Sequence, residues 1–382
     1  MELYVHIPFC ARKCLYCDFA SYAGCESRIP AYVDAVLDEA RCRADKTGRQ
    51  PVETVFLGGG TPSLLPAGEL DRLLSGLKNM FSWDDDTEFT SEANPGTLTA
   101  VWLKTAVRHG LNRISMGMQA LQPELLTTLG RIHTFPQVQE SVRLCRDAGI
   151  RNINLDLMFG LPGQTVAHWR ETLHAALSLV PQHLSCYGLI PEDNTPLKAA
   201  LDAGTLTLPD EETERAMYDE TLTTLAAQGF EQYEISNFAL PGRLCRHNMG
   251  YWQQVPYLGL GASASSMLRT QGEIFSIRET NPPGLDEYMD MTSRQAWHRR
   301  DREEITHPEA RFETMMLGLR TTKGVSLSMF EQLHHCSIES CFGAKLRLLE
   351  KQGLVTLRDG FWRLTRQGMD VQNHVLVELM DE

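Results

Sequence analysis

Short aliphatic and β-branched runs alternate with helix-length amphipathic stretches through the first 228 residues. This pattern predicts strands over 3–7, 54–57, 88–91, 113–116, 152–158 and 184–189, and helices over 29–46, 67–80, 99–109, 136–148, 166–179 and 210–228. A strand, a helix and then another strand imply parallel neighbours, because parallel pairing needs a crossover connection. Six such units predict an α/β fold, an open six-stranded (β/α)6 partial TIM barrel. In such a fold the residues that carry chemistry belong at the C-terminal ends of the strands, where the βα loops gather.

Beyond the last helix the pattern changes. Residues 230–235 read as one more strand, followed by an irregular stretch to about 285 that is rich in Gly, Pro, Ser and aromatics. Long loops of this kind often bind ligands. Helical periodicity returns over 308–319, 328–334 and 338–352, and then 354–357 and 361–364 form a hairpin with Asp359-Gly360 at its turn. Helices followed by such a hairpin predict a C-terminal winged-helix-like α+β domain. The expected division is 1–235 for the barrel, 236–300 for a connecting segment and 301–382 for the C-terminal domain. No solenoid repeat or low-complexity tract is visible.

Composition narrows the function. The 382 residues are 42% hydrophobic and 22% charged, which suits a folded protein rather than a disordered one. No apolar run approaches the roughly 18 residues of a membrane helix, and no signal-like segment opens the chain. A cytoplasmic protein is expected. Against 36 Lys and Arg stand 49 Asp and Glu, a net charge of −13, so general nucleic-acid binding is disfavoured. Ten cysteines in a reducing compartment are not a disulfide framework, and the question becomes which of them bind metal.

Three stand close together, in the run His6-Ile-Pro-Phe-Cys-Ala-Arg-Lys-Cys-Leu-Tyr-Cys-Asp-Phe19 directly after the first strand. Cys10, Cys14 and Cys17 on one short loop can aim three thiolates at one iron–sulfur cube and leave one iron without a protein ligand. Zinc is the alternative metal, although a structural zinc site needs a fourth ligand and none follows at fitting distance. Three buried thiols without metal are the remaining alternative.

This CxxxCxxC run, with its aromatic at Tyr16, resembles the signature of the radical S-adenosylmethionine (SAM) family. The resemblance implies a [4Fe-4S] cluster on Cys10, Cys14 and Cys17, with SAM chelating the unique iron. Reductive cleavage of SAM in that family gives a 5′-deoxyadenosyl radical, chemistry that belongs to the cofactor while the protein positions it. The loop Gly58-Gly-Gly-Thr-Pro-Ser63 follows the second strand, where the family meets the amino-acid end of SAM through Gly59, Gly60 and Thr61. A plain tight turn is the other reading of that triplet. Glu92 in Ser91-Glu-Ala-Asn-Pro95 matches an acidic residue near the cofactor, and is otherwise a helix-start charge. Gln119 matches a SAM contact, and Arg131 a carboxylate-binding arginine, a task its planar fork suits. Asp156 corresponds to a reader of the ribose hydroxyls, its alternative being a loop cap. Tyr4 and Tyr16 complete the implied shell.

Across the chain the similarity is to the coproporphyrinogen III oxidase-like branch, and within it to the heme-chaperone members. The oxidases carry a further cysteine two places after the third, where this chain has Phe19, and a long lead before the cluster. His247-Asn-Met-Gly-Tyr-Trp252 matches the HNxxYW motif of the chaperone members, which implies His247 as a heme ligand, with Tyr251 and Trp252 as flat faces and Arg243 and Arg246 near propionates. A satisfied core histidine is the alternative. Cys245, two residues before His247, could offer a thiolate, while the other six cysteines read as scattered thiols. The implied function is to hold heme and transfer it to heme-accepting proteins such as respiratory cytochromes. Peripheral membrane contact through an acceptor and a cluster-dependent dimer are further expectations. The rival function is oxidative decarboxylation of coproporphyrinogen III to protoporphyrinogen IX. Residues 326–382 hold eight acidic against six basic residues, so DNA binding by the C-terminal domain is not expected.

Overall fold

The computed structural model describes residues 1–47 and 51–380. Its first six long strands are β1 Glu2–Ile7, β2 Thr54–Gly59, β3 Glu88–Ala93, β4 Arg113–Gln119, β5 Asn152–Phe159 and β6 His183–Gly188. They lie side by side in chain order, all parallel. Helices Ile29–Thr47, Ala67–Met80, Ala100–Arg108, Phe135–Asp147, Val166–Ser178 and Glu211–Ala227 make the crossovers and outer layer. Leu3, Val5, Val55, Leu57, Phe89, Ile114 and Leu155 are fully buried between the sheet and this layer, forming one continuous core. Their removal from water is the main force holding the barrel together.

The stretch expected to be irregular is largely sheet. Two short strands follow, β8 Asn237–Ala239 antiparallel to β6 and β7 Glu231–Gln232 antiparallel to β8, so the strand expected over 230–235 is only two residues long. At the other edge β9 Tyr257–Leu260 lies parallel to β1, and β10 Ser265–Arg269, β11 Ile274–Thr280 and β12 Asp301–Thr306 follow antiparallel. The result is a twelve-stranded sheet in the order β12-β11-β10-β9-β1-β2-β3-β4-β5-β6-β8-β7. A buried polar knot ties this extension to the core. Glu39, fully buried on the first helix, accepts from Arg300 Nη2 at 2.7 Å, Tyr288 OH at 2.7 Å and the Gly261 amide at 3.0 Å.

The C-terminal part has helices His307–Gly318, Leu327–His334 and Ile338–Lys351, then β14 Val355–Arg358 and β15 Phe361–Leu364, with the short β13 Val325–Ser326 completing a three-stranded sheet. Asp359 and Gly360 both adopt positive φ between paired Arg358 and Phe361. That is the two-residue turn whose twist matches a hairpin. Phe330, Phe342, Leu346, Trp362 and Val375 pack into a core of its own. Among the described residues no helix is long and apolar enough to cross a membrane.

Candidate functional site

The cysteine loop leaves β1 at its C-terminal end. His6 fixes its return: one ring nitrogen meets Tyr4 OH at 2.9 Å and the other the Ala20 carbonyl at 2.9 Å. Each thiol has a different neighbour. Cys10 accepts from Thr61 Oγ1 at 3.6 Å, Cys14 accepts from Arg131 Nη1 at 3.6 Å, and Cys17 lies 4.0 Å from Ser21 Oγ. Burial raises the Cys10 and Cys17 thiols above the ordinary range, a cost to the thiolate that nearby positive charge offsets. Among the described residues no three His, Cys, Asp or Glu side chains converge as a single-ion site. A cube has no such requirement, because it presents a separate iron to each thiolate. Three soft donors on one loop fit that group better than one zinc ion.

Beside the loop, the end of β2 is built for close approach. Gly59 has φ +106°, and a Cβ on it would stand 2.3 Å from the His6 ring. A Cβ on Gly60 would come within 2.8 Å of the Ile7 and Phe9 carbonyl oxygens. Only glycine fits either place. Gly59 donates its amide to Glu92 Oε2 at 2.9 Å. Burial, and then the Asp156 charge, push the Glu92 carboxyl up to about 7. Neighbouring strand ends supply the rest. The Asp156 carboxylate accepts from Asn154 Nδ2 at 2.8 Å and Ser115 Oγ at 3.1 Å. Gln119 sits at φ 63°, where the β4–β5 register shifts, a left-handed conformation that turns the chain at the strand end. Arg131 reaches back to the Gly117 carbonyl at 2.5 Å and Asn94 Oδ1 at 2.8 Å, while Asn94 Nδ2 donates to Thr61 Oγ1 at 2.7 Å.

The fold therefore brings Tyr4, Cys10, Cys14, Tyr16, Cys17, Gly59, Gly60, Thr61, Glu92, Gln119, Arg131 and Asp156 to one end of the barrel. His6, Asn94, Ser115 and Asn154 join them, and the sequence reading had assigned these four no role. The Glu92-Ala-Asn94 run at a strand end was the available signal for Asn94, whereas nothing in the spacing points to His6.

His247 lies elsewhere. The helix Arg246–Trp252 packs under the opposite ends of the strands, against the first residues of β1, β2 and β3. The imidazole is 1% exposed, with Nδ1 2.7 Å from Thr54 Oγ1 and Nε2 3.0 Å from Tyr251 OH. It stacks on Phe56 with ring centroids 5.0 Å apart. Burial, and then Arg113, push its pKa down to about 3. Both ring nitrogens are engaged and the ring is enclosed in this conformation, so ligation of heme iron by His247 would require the imidazole to leave Thr54 or Tyr251. Cys245 is fully buried and donates to Glu88 Oε1 at 3.5 Å, and burial pushes its thiol up to about 12. Arg246 donates from its guanidinium to the Asp86 carbonyl at 2.7 Å. In the C-terminal part, Cys336 and Cys341 stand 3.5 Å apart, a proximity that i to i+5 spacing had not suggested.

A profile of the radical SAM superfamily matches residues 4–176, and one of the HemN C-terminal domain matches 305–371. A solved structure of coproporphyrinogen III oxidase (HemN) from Escherichia coli superposes with TM-score 0.84 at 24% identity, over 99% of this chain and 89% of that one. The fold is thus that of a radical SAM protein with the accompanying C-terminal domain. Relatives named heme chaperone HemW are 37% identical in Bacillus subtilis, over 99% of both chains, and 34% identical in Escherichia coli, over 98% of this chain and 97% of the relative. The mouse radical S-adenosyl methionine domain-containing protein 1, mitochondrial, is 34% identical over 100% of this chain and 87% of its own. The chain belongs to the radical SAM superfamily, in the family of these HemW-named relatives.

Proposed function

We propose that this chain holds heme and transfers it to hemoproteins, respiratory cytochromes among them, from a cytoplasmic location. The observation that carries the proposal is end-to-end similarity to proteins named heme chaperone HemW. Phe19, 64% exposed where the oxidase pattern has its further cysteine, supports the same reading. In this account Cys10, Cys14 and Cys17 hold a [4Fe-4S] cluster. Tyr4, Tyr16, Gly59, Gly60, Thr61, Glu92, Gln119, Arg131 and Asp156 surround SAM. When bound, the two together supply one-electron reductive cleavage of a sulfonium. The chain's own residues bind and orient. The side-chain-free turn at Gly59 and Gly60 would let the amino-acid end of SAM approach, the Asp156 carboxylate would accept from ribose hydroxyls, and Arg131 places positive charge beside the Cys14 sulfur. Residues 1–235 form the cofactor core, 236–300 present the HNMGYW helix and 301–382 form the module that closes on it.

The rival, coproporphyrinogen III decarboxylation, shares the HemN fold at an identity that speaks for the fold alone. One anaerobically reconstituted sample separates the two. Titration with heme is expected to give saturable binding, and incubation with coproporphyrinogen III and SAM under reducing conditions is expected to give no protoporphyrinogen IX. Turnover of the porphyrinogen without heme binding would reverse the conclusion.

A further inference from the structure

On the sheet face that carries Asp156, strand register sets a row of polar side chains. Ser115 of β4 pairs with Asn154 of β5, and Asn154 pairs with His183 of β6, so the three lie abreast. Asn154 and His183 are 1% and 0% exposed. Groups buried this deeply are costly unless their donors and acceptors are all used, so the polarity of each contact can be worked out.

Asp156 lies two residues along β5 from Asn154, on the same face and nearer the cysteine loop. Its carboxylate only accepts, so the Asn154 amide turns Nδ2 towards it, at 2.8 Å. The same Nδ2 donates to Ser115 Oγ at 2.7 Å, and Ser115 Oγ donates to Asp156 Oδ2 at 3.1 Å. Asn154 Oδ1 is thereby aimed at His183 Nδ1, 2.6 Å away, and that nitrogen must carry the proton. Ser185 Oγ also donates to this oxygen, over the longer distance of 3.2 Å. Burial, and then Arg113, hold His183 well below its ordinary pKa, which keeps the ring neutral. Nε2 is then an acceptor, and the Tyr233 hydroxyl donates to it at 2.8 Å. The Tyr233 oxygen in turn accepts from the Cys245 amide at 3.4 Å. Every direction along this line follows from the negative charge on Asp156.

We propose that His183 is a positioning residue for the ribose-binding carboxylate of Asp156, an inference that rests on the SAM reading above. The imidazole N–H locks the Asn154 amide, and Asn154 and Ser115 then hold the two carboxylate oxygens, whose remaining lone pairs are left for the ribose hydroxyls. Tyr233 fixes the tautomer from behind. Without the imidazole donor the Asn154 amide is freer to rotate, and an amide oxygen turned towards Asp156 would repel it. Packing alone does not demand this polarity, since a phenyl ring fills a similar volume.

The test measures SAM affinity by calorimetry on the full, cluster-reconstituted chain, with cluster content followed by iron and sulfide analysis and folding by circular dichroism. His183→Phe is expected to weaken SAM binding about tenfold at unchanged cluster content, the worth of one hydrogen bond in a charged network. His183→Asn places an amide N–H where the Nδ1–H stood and is expected to restore most of the affinity. Unchanged affinity in His183→Phe, or an equal loss in both variants, would overturn the positioning role. Nitrogen NMR of the full chain with isotope-labelled histidine needs no ligand and is expected to show the Nδ1–H tautomer for His183. An Nε2–H tautomer there would overturn the proposal while leaving the SAM reading standing. Failure of the unsubstituted, cluster-loaded chain to bind SAM would overturn that reading and the proposal with it.

Discussion

At the residue scale, two buried carboxyls give the cofactor-free protein a characteristic pH response. Glu92 is raised from 4.5 to about 7 by burial and then by Asp156, and Glu2 from 4.5 to about 8, chiefly by burial. A carboxyl whose folded pKa is raised contributes stability that is present below its unfolded pKa and is lost as pH rises through the folded value. Stability should therefore fall between about pH 4.5 and 8, by an amount on the order of a few kcal/mol. Urea unfolding of the cofactor-free chain at pH 5.5, 7 and 8.5 measures this. Glu92→Gln and Glu2→Gln should each flatten the slope, and a wild-type slope retained in both would contradict the assignment. His247, lowered to about 3, acts with the opposite sign, withdrawing stability as pH falls below 6.5. The cysteine and glycine runs were legible in the sequence because their chemistry is local. The state of His247 was not, since its partners Thr54 and Phe56 stand nearly two hundred residues away in the chain and only the folded sheet brings them together.

At the element scale, the N-terminus of the helix Arg246–Trp252 is held by one acidic side chain. Glu88, at the start of β3, accepts from the backbone amides of Arg246 and His247, both at 3.1 Å, and from the Cys245 thiol. Charge-assisted bonds of this kind are worth about 1.5–3 kcal/mol each. Glu88→Gln retains one acceptor oxygen, so about 2 kcal/mol of stability should be lost. Hydrogen exchange at the two amides should accelerate, and unchanged protection there would show that the helix is held by other contacts. The parallel strands were predictable because apolar residues recur along each at strand spacing, as Leu3, Val5 and Ile7 do in β1 and Ile153, Leu155 and Leu157 in β5, and all of these are buried. The added strands β10 to β12 were not: Ser265-Ser-Met-Leu-Arg269 is short with only two buried residues, and Asp301-Arg-Glu-Glu-Ile-Thr306, at the sheet edge, is charged and exposed except at Ile305 and Thr306. Such edges carry charge that discourages pairing with other chains.

At the scale of the whole molecule, the sheet extension and the barrel are coupled through Glu39 and Arg300, which are 0% and 3% exposed and 2.7 Å apart. Arg300→Leu leaves the Glu39 charge buried without its cation, which should cost about 3–5 kcal/mol and lower the thermal midpoint. An unchanged Tm would mean that Tyr288 and Asn281, whose Nδ2 donates to Glu39 Oε1 at 2.9 Å, suffice to satisfy Glu39. The same coupling matters for function, because the barrel end carrying the cysteines and the HNMGYW helix lie at opposite ends of the strands. The most direct measurement of the central claim loads the cluster-reconstituted chain with heme and mixes it anaerobically with an apo-cytochrome, following the Soret band of the acceptor. The account predicts that heme leaves this chain and appears in the acceptor as holo-cytochrome. Heme that remains bound here in the presence of excess acceptor would contradict it.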